Sequence, residues 1–172
     1  MAIPAVADRR DFLRHQSVGK DLAVGRAPTV QGALAGADIE NFFVAITEVN
    51  TVAGYLAGCL DNPAHNPRFA DNGYYASFAP LCDRYPCHLH INLDERYRNR
   101  GIGSALIAAF AAQAASVGRS GIHVVTEERA RNVRFYEKNE FRPLATARWN
   151  GADVVFMGRP LRPRSVISTE RT

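Results

Sequence analysis

CHLHINLDERYRNRGIGSALIAAFAAQAASVG, residues 87–118, is the stretch of sequence that decides the fold. Its first seven residues, 87–93, alternate in polarity as a β-strand does. Over 101–117 apolar residues recur at helical spacing, and Gly118 follows where a helix commonly ends. An arginine-rich loop joins the two. The stretch therefore predicts a strand, a basic loop and a helix whose first turn contains two glycines.

The segments on either side of this stretch predict an α/β pattern. Upstream, two strands are joined by a turn at Asn50-Thr51, and downstream a hairpin turns at Asn150-Gly151, which is favourable turn chemistry. The predicted strands are 41–48, 52–59, 87–93, 121–126, 141–149 and 152–159, and the predicted helices are 101–117 and 130–139. From residue 41 the order is β, β, long loop, β, α, β, α, β, β. We therefore expect residues 1–172 to form a single α/β domain with a mixed sheet.

Three parts of the chain are less regular. Residues 61–86 hold four prolines and five aromatic side chains, which favours a functional lid or binding loop that packs on the domain. In the first forty residues, Asp8 is a candidate cap for a short helix carrying Phe12 and Leu13. Thr29 is a candidate cap for a second helix with Val30 and Leu34. The tail 161–172 is polar and is expected to fray.

The composition is that of a globular protein. The chain has 172 residues, of which 47% are hydrophobic and 22% charged, with a net charge of +4. This mildly basic balance suits a polyanionic ligand or nucleic acid, and it is equally compatible with ordinary surface charge.

The odd number of cysteines (Cys59, Cys82 and Cys87) argues against a disulfide scaffold and favours the cytoplasm. The longest apolar stretch, 102–112, is too short to cross a bilayer, and no secretory signal is evident.

The basic loop has the chemistry of a diphosphate site. A helix N-terminus leaves backbone N–H groups unpaired and carries partial positive charge. Glycines let a phosphate approach those groups, and Arg96, Arg98 and Arg100 add charge-assisted contacts. Taken alone, the segment is also compatible with a glycine-capped helix start and solvated arginines.

Two signatures give a resemblance to a known family. Arg98-Asn99-Arg100-Gly101-Ile102-Gly103 resembles the motif A loop of the Gcn5-related N-acetyltransferase (GNAT) family. Residues 135–141, FYEKNEF, resemble that family's second signature, Phe-Tyr-x-x-x-Gly-Phe. The resemblance covers residues 41–161 and implies a mostly antiparallel mixed sheet flanked by helices and splayed at strands 87–93 and 121–126. It also implies acetyl-coenzyme A as acyl donor, no metal, and direct attack by an amine.

The resemblance places the coenzyme along the strand end, the loop and the second helix. The expected binding residues are Ile91, Asn92, Leu93, Arg98, Asn99, Arg100, Gly101, Ile102, Gly103, Ser104, Arg129, Asn132, Phe135 and Tyr136. Two positions depart from the family pattern. Glu140 stands where Gly is frequent, and Arg129 stands where Asn is common, which puts a contact to the pantetheine arm in question.

The resemblance also suggests catalytic roles. Tyr136 is the candidate general acid for the departing thiolate, or else a packed aromatic residue. The amine needs a base, and His88 and His90, two apart on one strand, share a face and are the candidates. Structural histidines are an equally good interpretation of the pair. Asp94 and Glu95, at the strand end, are more simply solvated.

Several alternatives stay open at this point. Residues 54–58 and 85–91 resemble the acetyltransferase-like C-terminal domain of O-GlcNAcases, some relatives of which look like coenzyme binders without a clear acceptor. A binding module without transferase activity is therefore the main alternative to an N-acetyltransferase.

A nucleic-acid-binding domain lacks a recognition motif, and a dinucleotide enzyme lacks the third fingerprint glycine. A zinc site of Cys82, Cys87, His88 and His90 is disfavoured because adjacent strand residues point to opposite faces. The expected partner is an amine acceptor, with no nucleic acid or membrane, and a homodimer is open.

Overall fold

The computed structural model describes residues 13–17, 22–26 and 41–161, which form one mixed sheet with helices on both faces. The strands are β1 Leu13–Ser17, β2 Leu22–Arg26, β3 Asn41–Thr47, β4 Val52–Cys59, β5 Cys87–Leu93, β6 Gly121–Glu127, β7 Arg142–Trp149 and β8 Ala152–Pro160. The helices are α1 Tyr74–Ser77, α2 Ala79–Arg84, α3 Ile102–Ser116 and α4 Val133–Lys138. The strand order is β1-β2-β3-β4-β5-β6-β8-β7, and every neighbouring pair is antiparallel except β5 and β6. The predicted fold class is confirmed.

The parallel pair β5 and β6 separates soon after it begins. The two strands are in register only at Cys87↔Ile122 and His88↔His123. On their outer sides the ladders continue, β5 with β4 as far as Leu93 and β6 with β8 as far as Glu127. From residue 89 onward, the edge of β5 that faces β6 therefore has no strand partner within the described part of the chain, and the predicted splay is confirmed.

Helix α3 covers one face of the sheet at this splay. Leu106, Ile107 and Phe110 are fully buried, against strands β3 to β6. Gly58 on β4 admits the Phe110 ring, because a Cβ at that glycine would lie 2.3 Å from it. The large buried side chains of α3 fix the helix across the sheet, so the position of its N-terminus beside the end of β5 is set by the core.

The opposite face is covered by residues 61–86. This segment forms two 3-10 turns, Pro63–His65 and Pro67–Phe69, followed by α1 and α2. Tyr75, Phe78, Cys82 and Tyr85 are buried there against Phe156 and its neighbours on β8. The prediction that the aromatic residues pack on the domain is confirmed. The segment is a helical cover rather than a plain loop.

The N-terminal prediction was wrong where it can be compared. Leu13 lies in β1, not in a helix, and β1 pairs with β2, which pairs with β3. The described residues therefore contribute eight strands to the sheet, where the sequence predicted six. Pairing gives the edge of β3 hydrogen-bond partners that an isolated short helix cannot provide. The predicted caps Asp8 and Thr29 lie outside the described residues.

At the other end of the chain, Leu161 is held rather than frayed. Its amide donates to the Ser120 carbonyl, and its side chain packs on the core. The rest of the predicted tail, 162–172, lies outside the described residues.

The exit of α4 shows how the chain accommodates glutamate in place of glycine. Glu140 adopts φ 68°, and the Phe141 amide donates to the Tyr136 carbonyl while the Glu140 amide donates to that of Glu137. This is a Schellman-type helix end, in which a non-glycine residue costs about 1–2 kcal/mol. The Glu140 carboxylate also lies 2.7 Å from the Arg159 guanidinium, a contact that glycine cannot make.

Candidate active site

The basic loop is shaped by its own charges. Asp94 caps the 3-10 turn Glu95–Tyr97 and accepts hydrogen bonds from the Arg96 side chain, which together hold its pKa at about 2. Arg98 donates to the Leu93 carbonyl and to Glu95, each over 3.3 Å. Arg96 and Arg98 therefore stabilise the loop itself.

The third arginine has a different environment. The Arg100 guanidinium is exposed and lies 5.8 Å from the centre of the Tyr97 ring, a cation–π contact. No ion pair is found for it among the described residues. Arg100 is thus the best placed of the three arginines for an incoming anion.

The start of α3 offers free backbone donors. Gly101 adopts φ 78° at the N-cap, with Asn99 at φ 60° before it. No side chain among the described residues caps the helix, its first turn has no acidic residue, and the hydrogen bond from the Ala105 amide to the Gly101 carbonyl closes that turn. The amides of residues 102–104 come before that bond and are available to a bound anion.

The two glycines of the loop do different things. A Cβ at Gly101 would meet nothing within 4 Å, so this glycine serves the left-handed backbone. A Cβ at Gly103 would lie 2.8 Å from the Phe135 ring and 3.1 Å from Leu93. The sequence analysis gave both glycines the role of letting a phosphate approach. In the structure, the lack of a side chain at Gly103 instead lets the Phe135 ring of α4 pack against the start of α3.

Helix α4 presents Tyr136 beside this junction. The side chain is buried, 6% exposed, and burial raises the pKa of its phenol to about 12. The ring packs on Phe135 and Phe141, and its hydroxyl makes no hydrogen bond to the described residues. The phenol is therefore protonated at neutral pH and free to serve a ligand.

The other two residues predicted on this side differ in their surroundings. The Asn132 side chain accepts a hydrogen bond from the Thr126 hydroxyl over 3.1 Å, which ties the end of β6 to the start of α4. Arg129 is exposed in the loop between these elements. The structure therefore gives Asn132 a scaffold contact and leaves Arg129 at the surface.

A cavity of about 330 Å³ opens at the splay, on the face covered by residues 61–86. Its walls are formed by strands β4, β5 and β6 and by the covering segment. The lining residues are Ala57, Gly58, Cys59, Arg68, Phe69, Asn72, Tyr74, Tyr75, His88, Leu89, His90, Val124 and Val125. Because consecutive residues of β5 and β6 both contribute, the cavity reaches into the gap between the strands.

The two predicted histidines, His88 and His90, both line this cavity, so they lie on the same face of β5. His90 is exposed, while His88 is half-buried between the rings of Phe69 and Tyr75. Burial, and then the nearby Arg68 charge, lower the pKa of His88 to about 4. His88 is therefore neutral at pH 7.

Behind His88 lies a third histidine, which sequence reasoning missed. His123 is fully buried, its ring centre 5.7 Å from that of His88 and stacked on Phe156. Its Nδ1 donates to the Tyr85 carbonyl, and burial lowers its pKa to about 3. The β-rich pattern of 121–126 carried no signal for this residue beyond its place on the strand.

Acid is expected to destabilise the fold through these two histidines. An unfolded histidine has a pKa of about 6.5, so below that pH the unfolded chain binds more protons than the folded one. The full contribution of the two histidines to the free energy of unfolding is present above about pH 6.5. As the pH falls below that value, the free energy of unfolding decreases by about 1.4 kcal/mol per pH unit for each histidine, until the pH nears their folded-state pKa values of about 4 and 3. Urea unfolding of the wild type and His123→Gln between about pH 7 and 5 measures this. If the free energy of unfolding of His123→Gln changes with pH as steeply as that of the wild type, His123 does not contribute to the acid sensitivity.

The cysteines do not form a metal site in the described part of the chain. Cys82 and Cys87 are buried, and burial raises the pKa of each thiol to about 12. No group of three or more His, Cys, Asp or Glu side chains that could hold a metal ion occurs within residues 13–17, 22–26 and 41–161. Over the same ranges no helix is long and apolar enough to span a membrane.

The chain is similar to known acetyltransferases. The family model of the acetyltransferase (GNAT) domain matches residues 38–143. The crystal structure of SsHAT is 25% identical, with a TM-score of 0.54 over 70% of this chain and 72% of that one. A putative streptothricin acetyltransferase from Bacillus anthracis in complex with acetyl coenzyme A is 18% identical, with a TM-score of 0.54 over 71% and 62% of the chains. A GNAT-family acetyltransferase from Streptococcus pneumoniae is 20% identical, with a TM-score of 0.53 over 74% and 70%.

The open sheet, splayed beside the start of α3, thus belongs to an acetyltransferase-type domain, as the family model shows. The chain belongs to the GNAT acetyltransferase family, whose members transfer an acetyl group from acetyl-coenzyme A. The closer resemblance to the O-GlcNAcase-associated domain stays a prediction.

Proposed function

We propose that the protein is an N-acetyltransferase that moves the acetyl group of acetyl-coenzyme A to a primary amine by direct attack. The observation that carries the proposal is the continuity of the site. The free amides of residues 102–104 lie where β5 ends, the unpartnered edge of β5 runs back from there, and the cavity opens beside that edge. A donor and an acceptor can therefore meet in the gap between β5 and β6.

The donor half of the site fits a diphosphate followed by an amide-bearing arm. The amides of residues 102–104 and the Arg100 guanidinium would hold the diphosphate. The open backbone edge at Ile91, Asn92 and Leu93 would pair with the arm, since unpaired strand groups seek partners. The remaining residues assigned to this half are Arg98, Asn99, Gly101, Arg129, Asn132 and Phe135. Of these, Arg98 and Asn132 act mainly by holding the loop and α4 in place.

Tyr136 fits the role of general acid. A phenol with a pKa of about 12 stays protonated at neutral pH and has a proton to give to a departing thiolate. Burial keeps water away from that proton transfer.

His90 fits the role of general base better than His88. Both line the cavity, but His88, with a pKa near 4, holds a proton from an ammonium group poorly. His90 is exposed within the same cavity and can return the proton to solvent. We assign His88 to shaping the cavity wall through its contacts with Phe69 and Tyr75.

The alternative is a module that binds acetyl-coenzyme A without transferring its acetyl group. One observation favours it. Among the described residues that line the cavity there is no carboxylate, so the amine lacks the acidic side chain that could serve as its base. The cytoplasmic location stays a prediction, and the question of a homodimer stays open; neither bears on the choice between these alternatives.

Thiol release from acetyl-coenzyme A in the presence of a panel of primary amines tests the proposal. We expect turnover with at least one amine, and a fall in kcat of about 10- to 100-fold in His90→Gln, as for loss of a general base. His88→Gln is the matched variant from the same strand and cavity, and its loss should be smaller. Calorimetric affinity for coenzyme A should stay within about twofold in both variants. Coenzyme binding without turnover on any amine would instead establish the binding module.

A further inference from the structure

The cavity at the splay has an unusual chemical balance for a site that must receive an ammonium ion. Its described walls carry one guanidinium, from Arg68, and no carboxylate. Five side chains supply rings: Phe69, Tyr74, Tyr75, His88 and His90. A ligand with several positive charges finds no counter-ion on these walls, whereas a flat apolar body finds several rings to pack on.

The acidic side chains of the covering segment do not line the cavity. Asp83 accepts hydrogen bonds from Asn62 and pairs with His65, and Asp61 lies 3.5 Å from the Arg119 guanidinium. Asp71 is exposed and does not line the cavity. None of these three carboxylates lines the cavity, although the Asp61 charge, like that of Arg68, acts on His88.

We propose that the acceptor is a small amine carrying both a carboxylate and an aromatic or apolar body, as in an aromatic α-amino acid, and that Arg68 determines this specificity. The inference rests on the proposed function and names the substrate class of the same site. A volume of about 330 Å³ lies at the small end of ligand sites, which span roughly 300–1,000 Å³, so it suits a molecule of amino-acid size.

Arg68 is placed to bind the carboxylate. It follows the 3-10 turn residue Pro67, and its backbone amide donates to the Asn66 side chain, which fixes the turn. Its guanidinium lies 5.8 Å from the centre of the Phe69 ring, and its charge helps to lower the pKa of His88. A guanidinium has five N–H donors, and a carboxylate takes two of them in a bidentate pair, so Arg68 can bind it and keep other contacts.

The test compares three amines by release of the coenzyme A thiol. Phenylalanine has the carboxylate and the ring, phenethylamine has the ring alone, and spermidine has several cationic amines. We expect kcat/KM for phenylalanine to exceed that for phenethylamine by at least about tenfold, and spermidine to be the poorest acceptor. Arg68→Gln should lower kcat/KM for phenylalanine by about 10- to 100-fold and leave phenethylamine nearly unchanged. Arg68→Lys should recover part of the loss.

A binding measurement separates this inference from the proposed function. N-acetylphenylalanine has the carboxylate and ring but no reactive amine, and its affinity in the presence of coenzyme A is measured by calorimetry. Binding that weakens at least about tenfold in Arg68→Gln supports the inference even where no amine is acetylated. A preference for spermidine, equal use of phenylalanine and phenethylamine, or affinity for N-acetylphenylalanine that is absent or indifferent to Arg68→Gln would overturn it.

Discussion

Tyr136→Phe is expected to lower kcat by about 100- to 1,000-fold while the protein remains fully folded. The variant removes only the hydroxyl, which makes no hydrogen bond to the described residues, so the packing of the ring on Phe135 and Phe141 is retained. What is lost is the proton that a buried phenol gives to the departing thiolate, and general acids contribute about 10²–10⁴ to a rate. The KM for acetyl-coenzyme A should change little, because the hydroxyl acts on the leaving group and not on binding.

The chain offers a matched control for this experiment. Tyr85 is also buried, 4% exposed, but it lies on the opposite face of the sheet in the cluster around Phe156. Tyr85→Phe therefore removes an equivalent hydroxyl away from the donor half of the site, and its kcat should stay within about twofold of the wild type. Steady-state kinetics measure kcat for both variants, and thermal unfolding verifies that both are folded. Retention of wild-type kcat in a folded Tyr136→Phe would remove Tyr136 from catalysis.

The elements that were predictable from sequence are those whose signals are local. Asn150 adopts φ 47° and Gly151 φ 80°, as the Asn-Gly pair indicated, and the hairpin follows. The boundaries of β5 agree with the predicted strand, because alternation along 87–93 reflects two faces that differ in burial: Leu89 is buried in the core with α3, whereas His90 is exposed. Helix α3 begins at Ile102, one residue inside its prediction, because Gly101 adopts a left-handed backbone and forms the N-cap.

The parts that were not predictable depend on contacts distant in sequence. Strand β2 is held by β3, so its identity comes from pairing rather than from its own pattern. Gly103 is needed because a ring from α4 lies against it, which no motif on α3 can reveal. Arg68 enters the cavity because the covering segment folds back over β5 and β6. The site lies where β5 and β6 separate, so its residues can be predicted only when the pairing register of these two strands is known.

Gly101→Asp is expected to weaken binding of acetyl-coenzyme A by at least about 100-fold, or about 2.8 kcal/mol. The side chain would project into open space, since no atom lies within 4 Å of a Cβ there, so the effect is electrostatic rather than a clash within the fold. A carboxylate at this position repels a diphosphate and competes for the free amides at the start of α3.

Two controls separate that charge from the cost of a left-handed backbone. Gly101→Asn keeps the size and tolerates the same φ of 78° but is neutral, so it should weaken binding by less than about tenfold. Gly118→Asp places the same carboxylate at the other end of α3, where φ is 75° and the space is equally open. It bears a similar backbone cost, and its affinity for the coenzyme should be that of the wild type. Calorimetry on the three variants, with thermal unfolding to verify the fold, makes the comparison. If Gly101→Asp binds the coenzyme as tightly as Gly118→Asp does, the diphosphate is not held by the start of α3, and the donor half of the site must lie elsewhere on the sheet.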